Sequence, residues 1–234
     1  MSTKQYCVQT ILELACAAQR VNGRYVKETE MLESTQSESN DETIRICVHP
    51  NKFLILASTG DLEYNGPNSP RRLVVTDEDH ELVKNIRSYY KRLAFAVMAD
   101  PDNSFQQKIL TLLNSENMVR SDFGFLACLP STYFRDKEKT DTKKHVRQCD
   151  DGFLGEPNDL LLDKDCEVIT VKFSDKFSCW NILGIIDNKL ASWFSKKRLE
   201  QGPCVIVSAK VKDHREHWLH KIDETRLNYV KAAQ

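Results

Sequence analysis

Apolar residues in this chain come in short runs, and the runs switch between helical and strand periodicity along the sequence, which limits the fold more than any other feature. Val8, Ile11, Leu12, Leu14, Ala15 and Ala18 recur at helical spacing over residues 4–20. Asn22-Gly23, both tolerant of the left-handed conformation, stops that helix. Ile44 to Val48 alternates, and Lys52 to Gly60 follows after His49-Pro50-Asn51, so the two read as a hairpin or neighbouring strands. A long helix is predicted from Asp77 to Met98, capped by Thr76 or Asp77, and a shorter one from Phe105 to Asn114. Phe123 to Leu129 is apolar throughout and ends at Pro130, the pattern of a buried strand. Strands are predicted at 167–173 and 203–209, and helices at 174–194 and 213–232. Residues 27–43 are acidic and Ser/Thr-rich and read as a flexible loop, and 135–159 as a long surface loop. This order predicts a single α/β domain over residues 1–234, with helices packed on a mixed sheet.

Composition narrows the function. Of 234 residues, 33 are Lys or Arg and 34 Asp or Glu, for a formal charge of −1. A protein held on duplex nucleic acid by phosphate neutralisation carries a basic excess, so duplex binding as the main activity starts at a disadvantage. The eight cysteines include no Cys-x-x-Cys pair, and several lie inside apolar runs, so they read as reduced intracellular thiols. Runs such as Phe53 to Ala57 are too short to cross a bilayer, and the N-terminus, with Gln9 and Glu13, makes a poor secretory signal. A soluble protein of the cytoplasm or nucleus is expected.

Residues 174–184, Ser-Asp-Lys-Phe-Ser-Cys-Trp-Asn-Ile-Leu-Gly, resemble the second half of the deaminase domain of the adenosine deaminases acting on RNA, the ADAR family. Ser174, Asp175, Lys176, Trp180, Asn181, Leu183 and Gly184 fall in register with that family's pattern. Weaker likenesses flank them, at Ala127 to Pro130, at Asp77 to Tyr90 and at Pro203 to Leu219. The resemblance implies a cytidine-deaminase-like layered fold, truncated and degenerate. It also implies a lost active site. Such a deaminase holds zinc with one His and two thiolates, beside a proton-shuttling Glu. In this register the two cysteines fall at Ser131 and Phe173, and the His-Ala-Glu motif falls across Asp79, His80 and Glu81 without both residues aligning. No hydroxide-generating zinc centre can be assembled from these side chains, so no metal, no cofactor and no catalysis are expected. The family's buried inositol hexakisphosphate is expected to be absent too, because Cys179 stands where the family has an Arg, although Lys176 and Trp180 remain.

What the resemblance implies is therefore a non-enzymatic partner. The chain is expected to bind an active RNA-editing adenosine deaminase through its deaminase domain, as nematode-type ADAR-binding proteins do, and to regulate its activity, stability or location. RNA contact would be indirect and residence nuclear. The family's pairing surface corresponds here to Phe153 to Ile169, and the candidate interface is Phe153, Leu160, Leu161 and Leu162. Three consecutive leucines cannot all point inward. Two alternatives stand beside this reading: an accessory module contacting double-stranded RNA, and a metal-dependent enzyme with relocated ligands. His214, His217 and His220, three apart on an expected helix, read as part of its polar face. Cys128 reads as a buried small hydrophobe, Lys196-Lys197-Arg198 as a solvated helix end, and Trp180, Trp193 and Phe194 as core.

Overall fold

Helix α1 (Val8–Asn22) buries nearly every apolar side chain it carries, and Gly23 ends it in the left-handed conformation at φ 68°. The computed structural model that shows this describes residues 4–35, 43–62, 69–70, 72–98 and 104–234. Its elements run β1 (Gln5–Cys7), α1, β2 (Glu30–Thr35), β3 (Thr43–Val48), α2 (Asn51–Ser58), α3 (Asp77–Met98), α4 (Ser104–Leu113), β4 (Asn117–Val119) and α5 (Phe123–Val146). Then come β5 (Leu160–Ser174), β6 (Cys179–Ile186), β7 (Lys189–Ser195), β8 (Gly202–Glu216) and β9 (Asp223–Ala233). Where one domain was expected, the chain divides into two compact units, Met1–Asp136 and Lys137–Gln234, with the division falling inside α5.

The first unit is helical. Its core gathers Ile11, Leu12, Ile55, Ile86, Tyr90, Ile109, Phe123 and Leu126 around α1. The expected strand at 52–60 is helix α2, and within the 27–43 stretch read as a flexible acidic loop β2 occupies 30–35 and β3 begins at Thr43, while 36–42 lie outside the described residues. The expected strand at 123–129 is the first part of α5. Phe123, Leu126, Ala127 and Tyr133 are buried at helical spacing, and Pro130 is carried inside the helix. Helix α5 continues to Val146, so the long surface loop expected at 135–159 begins only after it.

The second unit is the larger departure. The molecule is mixed α/β, as expected, but its second half closes into a barrel in the order β5-β6-β7-β9-β8, returning to β5, rather than forming a layered cytidine-deaminase-like sheet beneath helices. Strand β5 makes closure work. Its first part pairs with β8, Leu160 opposite Lys210 through Val168 opposite Gly202, and its later part pairs with β6 as far as Ser174 opposite Cys179. A register shift between Val168 and Thr170 bends it from one neighbour to the other. All neighbours are antiparallel except β7 and β9, which run parallel with Leu190 opposite Glu224.

The helix expected at 174–194 is therefore the β6–β7 hairpin. Its two-residue turn is Asp187-Asn188, both at positive φ (47° and 59°), the mirror-image turn that matches strand twist. The helix expected at 213–232 is the end of β8, a six-residue loop and β9. Leu161, Cys166, Val168, Ile182, Ile186, Trp193, Ile206 and Leu227 fill the interior. Gly184 lies where a Cβ would fall 2.8 Å from Cys166 Sγ and 3.2 Å from the Trp193 ring, so a side chain there would force these interior groups to shift. Outside, Val146 at the end of α5 packs on Ile169, Leu183 and Leu190. Among the described residues no helix is long and apolar enough to cross a membrane.

Candidate functional site

Of the residues nominated as a degenerate former metal site, Asp79, His80 and Glu81 lie on α3, Ser131 on α5 and Phe173 on β5. Asp79 is buried and its carboxylate caps the start of α3: the Thr76 N–H and hydroxyl donate to its Oδ2 at 2.9 and 3.0 Å. Arg20 of α1 adds Nε and Nη2 donors at 3.1 and 2.9 Å. Burial pushes the Asp79 carboxyl up, but these hydrogen bonds outweigh it and hold the group below its usual range. His80 faces Glu13 at 3.2 Å, and Glu81 pairs with Lys84 on the exposed face of the helix. Ser131 belongs to α5. Phe173, half exposed, packs edge-on against Trp180 on the barrel at 5.0 Å. Among the described residues, no three His, Cys, Asp or Glu side chains converge as a metal would require.

The nominated interface residues separate by strand alternation. Leu161 points into the barrel and is buried, whereas Leu160 and Leu162 face outward and are exposed. Phe153 stacks flat on His214, centroids 4.2 Å apart, before the barrel begins. The expected polar helix face of His214, His217 and His220 does not form: His214 lies near the end of β8, which stops at Glu216, while His217 and His220 belong to the β8–β9 loop.

The barrel assembles a different site, on the outward face of β6, β7 and β9. Phe177, in the β5–β6 turn, and Phe194, on β7, are 59% and 58% exposed with centroids 5.8 Å apart. Strand alternation explains Phe194: Trp193 faces the interior and its neighbour must face out. Of Trp180, Trp193 and Phe194, all three expected in the core, Trp193 is buried and Phe194 exposed, while Trp180 is partly buried against the interior, with the Arg198 guanidinium 5.5 Å from its ring. Lys196, Lys197 and Arg198 lie on the β7–β8 loop, not at a helix end, beside the β5–β6 turn that carries Lys176. Lys176, Lys196, Lys197 and Lys212 have no ion pair among the described residues.

Two cavities open on this face. One of about 250 Å³ is bounded by Phe177, Phe194, Lys212, Arg226 and Asn228. The other, about 190 Å³, lies under the β8–β9 loop and shares Asn181, Ser192 and Arg215 with the first. Its floor is a fully buried carboxylate, Glu224, which accepts from Arg215 Nη2 (2.8 Å) and Nε (2.9 Å) and from the Ser192 hydroxyl. Burial pushes this carboxyl up, but the Arg215 and Ser192 hydrogen bonds prevail and hold it below its usual range. The loop above is organised by His217, whose Nδ1 accepts the Leu219 and His220 N–H groups at 3.3 and 3.2 Å. The proton of neutral His217 therefore sits on Nε2. Burial pushes the His217 imidazole down, and it does the same to His220, assisted by Lys143 and Lys172. Trp218 is lifted out at the loop tip, 72% exposed.

The pattern that could have revealed this face in the sequence is Phe177 after Lys176 and Phe194 before Lys196-Lys197-Arg198, each flanking a hairpin strand. Once 174–194 is read as a helix, the two aromatics cannot be neighbours. No protein-family model matches the chain, and neither the curated proteins nor the solved structures give a match.

Proposed function

We propose that the second unit is a single-stranded nucleic-acid-binding module that contacts its strand directly, across β6, β7 and β9. Two features support this. A five-stranded barrel whose first strand pairs with the second and fourth, and whose third runs parallel to the fifth, has the connectivity of the OB fold. The ligands of that fold cross the second and third strands and the flanking loops, which here are β6, β7 and the loops carrying Lys176-Phe177 and Trp218. The single observation that carries the reading is the exposed pair Phe177 and Phe194 beside lysines that form no ion pair among the described residues, because stacking rings next to a cationic track is what sequence-tolerant strand binding requires. The near-neutral total charge does not oppose it, since a local cationic track suffices.

The test is fluorescence anisotropy of the full chain with labelled 12-nucleotide RNA and DNA, single-stranded and duplex. Single strands are expected to bind more tightly than duplexes, with affinity falling as salt rises. No binding of single strands at 50 mM salt would refute the reading.

A second reading rests on another face. Leu160 and Leu162 of β5 and Val205 and Val207 of β8 are exposed on the outward side of the β5–β8 pair, an apolar strip suited to a protein partner. The partner suggested by the Ser174–Gly184 run is an RNA-editing adenosine deaminase, which a catalytically inactive chain would regulate. Leu160→Asp with Leu162→Asp should abolish co-purification with such a deaminase domain while the circular dichroism spectrum is unchanged. Retained binding would refute this placement.

A further inference from the structure

The recess under the β8–β9 loop differs from the open face in which of its groups remain free to bind. Its one carboxylate, Glu224, has both oxygens occupied by Arg215 and Ser192, so its charge is neutralised and it offers little to a ligand cation. What remains around the recess is donors: Lys139 and Lys172, the Nε2–H of His217, the ring of His220 and the amide of Asn181. Lys172 meets Glu138 at 3.3 Å, and both side chains are substantially exposed, so that pair is weak and Lys172 can turn toward an anion. Lys143 adds a further positive charge close to His220. The recess is therefore donor-rich and positive, which selects an anion with several acceptor oxygens.

Its position defines the anion further. The recess adjoins the cavity beside Phe177 and Phe194, with Asn181, Ser192 and Arg215 lining both. A strand lying on those rings and advancing toward the recess meets Lys139 and Thr142 of α5 on one side and the loop on the other. A chain end fits such a place better than a continuing strand. The exposed Trp218 ring at the mouth can stack the last base, with the imidazole of His217 behind it.

We propose that this recess holds the terminal phosphomonoester of a single-stranded nucleic acid, with the end base on Trp218. The inference rests on the nucleic-acid reading of the β6–β7 face and adds to it a preference for phosphorylated ends. A terminal phosphate has three free oxygens where an internal linkage has two, so it uses more of the donors gathered here.

Anisotropy with the full chain and one oligonucleotide sequence carrying a 5′-phosphate, a 3′-phosphate or hydroxyls at both ends tests it. One phosphorylated form should bind about tenfold more tightly than the hydroxyl form. Lys139→Gln with Lys172→Gln should remove that preference, weakening binding of the phosphorylated form about tenfold more than binding of the hydroxyl form. Equal binding of all three oligonucleotides overturns the terminal-phosphate site and leaves the nucleic-acid reading intact. Uridine 5′-monophosphate against uridine, read by tryptophan fluorescence with Trp218→Phe as control, separates the two failures. Quenching by the monophosphate alone, lost in Trp218→Phe, supports the recess even where no oligonucleotide binds and only the strand reading fails. Equal quenching by nucleoside and monophosphate counts against the recess.

Discussion

Replacing Phe177 and Phe194 by alanine is the sharpest test of the binding face, because the structure bounds what each change does to folding and to affinity separately. Both rings are nearly three-fifths exposed, so about two-fifths of each is packed. For a phenylalanine that buries some 150–250 Å² when fully enclosed, this is about 60–100 Å², or roughly 2 kcal/mol of burial per ring as an upper figure. A loss of that size lowers the melting temperature of a unit of about this length by roughly 10 °C and leaves it folded at 25 °C. Binding should fall separately, because each ring is a platform for one base and truncating such a platform costs about 1–3 kcal/mol. Each single variant should then weaken the dissociation constant about 5- to 150-fold. The rings touch, so the double variant should lose less than the product of the two single losses. The assay is anisotropy at 100 mM salt and 25 °C with a 12-nucleotide strand, with Phe177→Leu and Phe194→Leu restoring packing but not stacking. A double alanine variant that stays folded and binds within twofold of the parent would refute the stacking face.

Lys176→Gln, Lys196→Gln and Lys197→Gln combined should reduce the slope of log affinity against log salt by about 2, at roughly 0.7 per phosphate contact on single strands; an unchanged slope removes these lysines from the strand path. Gly184→Ala should destabilise the barrel by about 1–3 kcal/mol in chemical denaturation, because the added methyl meets Cys166 Sγ at 2.8 Å with the Trp193 ring close behind, and an unchanged midpoint would mean the barrel can relax around it. Glu224 makes the second unit acid-sensitive. Its carboxyl titrates below the ordinary glutamate value in the folded state, so the unfolded chain takes up the proton first. That contribution is complete above about pH 5 and is lost as pH falls through the depressed value. Glu224→Gln should flatten this part of the stability profile between about pH 5 and pH 3, measured by urea denaturation; a profile identical to the parent would show that the Arg215 contact carries no linkage.

The elements legible in the chain were those with one buried face. α3 and α4 show helical periodicity under their polar faces, and α1 ends at Asn22-Gly23 as its residues dictate. The strands at 167–173 and 203–209 fall inside β5 and β8. The β6–β7 hairpin was not legible as strand, because both of its faces are partly covered. Ile182, Ile186 and Trp193 go inward, while Leu183 and Leu190 go outward under Val146 of α5. An apolar run covered on both sides loses its period of two and passes for a helix. The local cue was Asp187-Asn188, which only a mirror-image turn uses so readily. The resemblance at Ser174 to Gly184 likewise rested on residues whose place depends on the fold, with Trp180 packed against the interior and Gly184 fixed by the Cys166 and Trp193 side chains.

By itself the sequence determined the side-chain inventory: eight cysteines with no Cys-x-x-Cys pair, scattered lysines, and aromatics beside charged residues. Tertiary structure decided which of these meet. Phe177 and Phe194 are seventeen positions apart, and Ser192, Arg215 and Glu224 come from three strands. The bend in β5 and the parallel pairing of β7 with β9 bring them to one face. Such pairings are long-range, set by how a sheet closes on itself, and no local propensity encodes them.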